Sequence, residues 1–128
     1  MEREFTYPDS DEVAEFNQLA LSIVRTTKAD SHAILSVAKI NSAIDECRNS
    51  PGNIYDKAAV LMRALTKAHA FASGNRRTAF LTSKYFVTVN GGKFKVPDNE
   101  ENAVVMKELR EGKHTDQQIS EWIRNGKI

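Results

Sequence analysis

The chain has 128 residues, with 18 basic and 17 acidic side chains and a formal net charge of +1. That length fits one domain over residues 1–128 with a core of its own, and charge without a run of either sign excludes nucleic acid as the default partner. The single cysteine, Cys47, cannot close an internal disulfide or build a metal cluster, residues 1–5 are charged, and no stretch approaches the ~18 apolar residues of a membrane span, so a cytoplasmic protein without a membrane partner is expected.

In chain order, Ser10 or Asp11 can cap a first helix whose apolar residues Val13, Phe16, Ala20, Ile23 and Val24 recur at helical steps, ending near Thr27. A second helical region from Asp30 to Ser50 carries Ile34, Leu35, Ala38, Ile40 and Ile44, is open to a break near Lys39, and stops at Pro51-Gly52-Asn53. From Tyr55, the residues Ala58, Leu61, Met62, Leu65 and Ala68 form one stripe that delivers His69 at its C-terminal end. Ser73-Gly74-Asn75 then turns the chain. Asn75 is a good cap for a helix through Ala79, Phe80, Leu81, Tyr85 and Phe86, which is apolar on most sides and therefore central.

Residues 85–96 pull two ways. Phe86-Val87-Thr88-Val89, Asn90-Gly91-Gly92 and Lys93-Phe94-Lys95-Val96 make a strong local hairpin pattern, while Tyr85 and Phe86 continue a helix. Further on, Asp98 with Glu101 starts a helix through Val104, Val105 and Leu109 that Gly112 ends. Thr115 with Gln118 is a capping box for a last helix that turns Ile119, Trp122 and Ile123 inward.

The chemistry concentrates in His69-Ala70-Phe71-Ala72-Ser73-Gly74-Asn75-Arg76-Arg77. A helix start leaves amides unpaired at the positive end of its dipole, and guanidinium forks suit such a site to phosphate. A neutral imidazole beside it can take a proton from a hydroxyl, so the group fits a hydroxyl attacking a phosphate. Taken singly, the bland readings prevail: His69 would be a polar helix end, Arg76 or Arg77 a solvated face, Phe71 core, Ser73 a turn cap, and Cys47 a small apolar filler. His32, His114, Lys93 and Lys95 read as surface residues.

These residues resemble the Fic/Doc family, closest to its short death-on-curing branch. The family signature is His-x-Phe-x-(Asp/Glu)-(Gly/Ala)-Asn-(Gly/Lys)-Arg, and here it reads H-A-F-A-S-G-N-R-R followed by T-A. The resemblance runs from about Ile40 to Arg124; the first helix matches only in character. It implies an all-α bundle of about six helices, with a central helical hairpin carrying the loop and residues 85–96 not forming strands. It also implies that His69 is the general base and Phe71 the core anchor. Gly74, Asn75 and Arg76 would form the anion nest, with Ser73 beside it, and Arg77 would hold the phosphates of ATP or another nucleoside triphosphate. Asn53, Ile54 and Tyr55 would form an edge that docks a segment of the target.

The branch further implies transfer of the terminal phosphate to a hydroxyl of a translation elongation factor, with toxic effect and silencing by an antitoxin protein. The alternative is AMP transfer, for which relatives carry glycine where this chain has the long cation Arg76. A third reading is a nucleotide-binding or regulatory protein without catalysis, because Ser73 stands where the family has its magnesium-binding acid. A hydroxyl is a weak ligand for a hard cation, which counts against metal dependence. Asp45 and Glu46 are substitute ligands by charge alone, and Ser42 with Glu46 matches only the first part of the family's silencing helix motif. Oligomeric state leaves no signal in the sequence.

Overall fold

The computed structural model describes residues 4–23 and 33–128. Among them are six helices: α1 (Ser10–Ile23), α2 (Val37–Asn49), α3 (Ile54–Ala68), α4 (Asn75–Val89), α5 (Glu100–Arg110) and α6 (Asp116–Asn125). The expectations placed on Val24, Thr27, Asp30 and His32 lie outside the described residues. The rest of the architecture is the predicted all-α one, with α3 at its centre packed against α2, α4, α5 and α6. Its most extensive interface is with α4, so the two form the expected hairpin around the loop.

Sequence pattern accounts for this arrangement. The α3 stripe buries Ala58, Leu61, Met62 and Leu65, and Ile119, Trp122 and Ile123 of α6 are fully buried, as their spacing predicts. Buried residues of all six helices join one apolar cluster. Residues 85–89 stay helical to Val89, and Gly91 turns the chain, so tertiary packing overrides the local hairpin pattern. Phe86 and Val87 are fully buried on the α4 face, a placement that a two-stranded ribbon would not supply.

Several boundaries move. The α1 cap is Asp9, not Ser10 or Asp11: its carboxylate accepts from Glu12 N at 2.8 Å, while Asp9 N donates to Glu12 Oε1 at 3.1 Å. The second helix begins at Val37 under a Ser36 cap, and Ile34 and Leu35 are exposed instead of helical. Ile34 forms an antiparallel bridge to Phe71, with Leu35 N donating to Ala70 O at 2.7 Å and Ala72 N to Ala33 O at 2.9 Å. The cap of α5 is Asn99, one residue beyond the expected Asp98. His114 is half-buried against Glu108, 3.2 Å away, and not a free surface residue.

The N-terminal end of α3 is tightly tied. Asn53 and Asp56 make a reciprocal capping box. Lys57 sends its buried ammonium into the end of α2, donating to Ser50 O at 2.7 Å, Arg48 O at 3.0 Å and Cys47 O at 3.3 Å. Those carbonyls are the ones a helix leaves without internal partners. Cys47 lies buried alongside, and burial pushes its thiol up to about 12.

Candidate active site

The other end of α3 is built differently. The helix ends at His69, whose φ of 50° places it in the left-handed region, the one non-glycine residue with positive φ among those described. Such a backbone costs an L-residue roughly 1–2 kcal/mol, a strain that function tends to retain. The loop then passes through buried Phe71, the core anchor position, and turns at Gly74.

Two side chains fix that turn. The Asn75 amide brackets the backbone of Phe71, accepting from its N–H at 3.1 Å and donating to its carbonyl at 2.9 Å. Its Nδ2 also lies 3.4 Å from His69 Nδ1, a long contact that holds one edge of the ring. Asn75 therefore shapes the loop, and the α4 cap is Gly74, not Asn75 as expected. The second side chain, Asn17 of α1, was not singled out from the sequence. It is fully buried and donates to Ser73 O at 2.9 Å and Thr78 Oγ1 at 3.0 Å, while Thr78 Oγ1 donates to Gly74 O at 2.7 Å. Gly74 has φ 76°, and a Cβ there would meet Leu21 at 3.2 Å and Asn17 at 3.3 Å, so glycine is required twice over.

Beside this turn lies a cleft of about 570 Å³, within the size range of small-molecule sites. His69, Ser73, Gly74, Asn75, Arg76 and Arg77 all border it, so the structure brings the predicted loop residues together. Leu21, Phe80, Ala103 and Met106 give it apolar walls. His69 and Arg76 are exposed.

Arg77 has a partner that the sequence did not reveal. Its two terminal nitrogens face the Asp98 carboxylate, Nη1 to Oδ1 at 3.0 Å and Nη2 to Oδ2 at 2.6 Å. This is the paired geometry in which a guanidinium also takes phosphate. The segment that carries Asp98 is pinned where Phe94 packs edge-on against Phe80, ring centres 5.2 Å apart. Reading Asp98 as a helix cap missed this contact, since nothing local marks a partner 21 positions away.

Other residues singled out from the sequence lie away from the cavity. Asn53, Ile54 and Tyr55 start α3, about 21 Å along its axis from His69, and do not border the cleft. Ile54 is buried and Tyr55 Oη accepts from Lys93 N at 3.1 Å, so these residues hold the scaffold. The stretch that pairs with the loop is 33–36. Asp45 and Glu46 pair with Arg48 and Arg63 on α2 and α3, away from the cleft.

The donor set also bears on magnesium. Ser73 offers a hydroxyl where the family signature has an acid, and the one carboxylate lining the cleft among the described residues is Asp98, engaged by Arg77. No group of three His, Cys, Asp or Glu that could hold a metal ion occurs among the described residues. These residues do not fit a dedicated Mg²⁺ site, which needs anionic oxygens.

A family model for the Fic/DOC family matches residues 5–87, which take in α1 to α3, the loop and most of α4. The chain belongs to the Fic/DOC family. The match includes the first helix, which the sequence related to the family only in character and which carries the loop clamp Asn17. No curated protein matches the chain. Membership supports a Fic-type transferase in general. Among the described residues no helix of this Fic/DOC protein is long and apolar enough to cross a membrane.

Proposed function

We propose that this Fic/DOC protein transfers the terminal phosphate of ATP to a hydroxyl of a protein in the cytoplasm, in the manner of the death-on-curing branch, with a translation elongation factor as target and a separate antitoxin chain as its silencer. The observation that carries the reading is the single cleft bordered by His69, Arg76 and Arg77 at the start of α4. The target hydroxyl oxygen bonds to the terminal phosphorus as the bond to the bridging oxygen breaks. The hydroxyl proton passes to the His69 imidazole, and ADP leaves. Arg77 exchanges the Asp98 carboxylate for phosphate oxygens, and Arg76 adds charge where AMP-transferring relatives carry glycine. Positioning and charge are most of what such a reaction needs. No step is routed through a metal.

ATP labelled on the terminal or the innermost phosphate, incubated with the protein and cell extract, tests this. Protein label from the terminal position alone is expected. Label from the innermost position alone would replace phosphate transfer with AMP transfer, and label from neither would sink both. Ser73 favours a second reading, a nucleotide binder without catalysis. ATP binding with no label transfer, converted to transfer by Ser73→Asp, would establish it.

A further inference from the structure

Among the described residues three guanidinium groups border the cleft, and only two belong to the loop. Arg110, on the last turn of α5, is the third. It follows Asn102 and Met106 at four-residue steps, so one face of α5 forms a cleft wall with a cation at its far end. The bland reading is a basic residue complementing the helix dipole.

The surrounding charges argue for more. Each nearby acid faces elsewhere: Glu108 contacts His114 at 3.2 Å, and Glu111 lies 3.8 Å from Lys113. Asp98 is held by Arg77. Among the described residues no carboxylate pairs with Arg110 or Arg76. The cleft thus presents two uncompensated cations on different helices, and a concave wall of low dielectric strengthens their joint field.

Arg110 also stands apart from the guanidinium groups of the loop. Asp98, beside Arg77, lies at the head of α5, and Arg110 lies about 15 Å along that helix. Helix side chains lean toward the N-terminus, so Arg110 extends back along this wall toward the end that holds Asp98 and Arg77. A single phosphate at Arg77 leaves Arg110 untouched, whereas a longer polyanion reaches both.

We propose that Arg110 is a second anion-binding residue of the cleft, which holds the far end of a polyphosphate whose near end lies at Arg76 and Arg77. The proposal rests on the reading of the cleft as a phosphate site. It makes affinity depend on phosphate number through a residue outside the motif.

Calorimetric titration of the full chain and of Arg110→Gln with orthophosphate, pyrophosphate and triphosphate tests it. Arg110 is exposed, so the variant is expected to melt as the unaltered chain does. The expected result is unchanged orthophosphate affinity and triphosphate binding weakened by about 5- to 20-fold. Equal triphosphate affinity in both proteins would overturn the role of Arg110 and leave the phosphate site standing. An equal loss for all three ligands would reduce Arg110 to a diffuse charge, overturning it as well. No binding of triphosphate by the unaltered chain would remove the phosphate site and this proposal together.

Discussion

The two ends of α3 are made from similar residue types and finish in opposite conditions. At its start, Asn53 and Asp56 cap the helix, Asp56 also accepts from Ser120 of α6, and Lys57 bonds into the end of α2. At its finish, His69 sits in a left-handed conformation, and Arg76 and Arg110 border an open cleft with no carboxylate partner among the described residues. The contrast separates scaffold from site by satisfaction of polar groups, not by residue type.

The comparison breaks most visibly at His69. Replacement by alanine should lower phosphate transfer by about 10²- to 10⁴-fold and leave ATP affinity within about 2-fold. Replacement by glycine should abolish transfer equally, yet leave a protein about 1 kcal/mol more stable than the alanine variant, because glycine accepts the left-handed backbone. Urea unfolding beside a transfer assay reads both effects. Equal stability of the two variants would mean that the loop carries no backbone strain.

Lys57→Met probes the opposite end. It removes the ammonium from Arg48 O and Ser50 O and one of several donors to Cys47 O, and should cost about 2–3 kcal/mol in urea unfolding with no change in ATP affinity. Asp98→Asn sharpens the site end. It removes the charge that holds the Arg77 fork and should tighten triphosphate binding by about 3- to 10-fold, measured by calorimetry. Weaker binding would show that Asp98 preorganises Arg77 instead of competing for it.

The smallest effect concerns Cys47. Its folded thiol keeps its proton to about 12 against an ordinary value of 9.0, so between these values the unfolded chain ionises and the folded one does not. Stability should therefore fall as pH rises above 9.0, by at most about 1.4 kcal/mol per pH unit from this group. Cys47→Ala should flatten that slope in chemical denaturation at pH 8 and pH 10.

What the sequence disclosed follows the range of each interaction. Helix stripes and the Thr115 capping box are local patterns, and the structure keeps them. The loop was visible because its imidazole, turn and guanidinium groups are contiguous. Contacts between distant positions left no trace: Asn17 reaches Ser73 across 56 positions and Arg77 reaches Asp98 across 21. The 33–36 stretch misled because Ile34 and Leu35 fit a helical period while the N–H groups of Leu35 and Ser36 and the carbonyl of Ala33 pair with the loop.

The Asn17 clamp has a practical consequence for dissecting the protein. Any fragment that begins after α1 would preserve every letter of the signature and lose the donor that holds the glycine turn shut. Such a piece would still be recognised by its spelling, but Asn75 alone would be left to hold the loop between its histidine and its arginines.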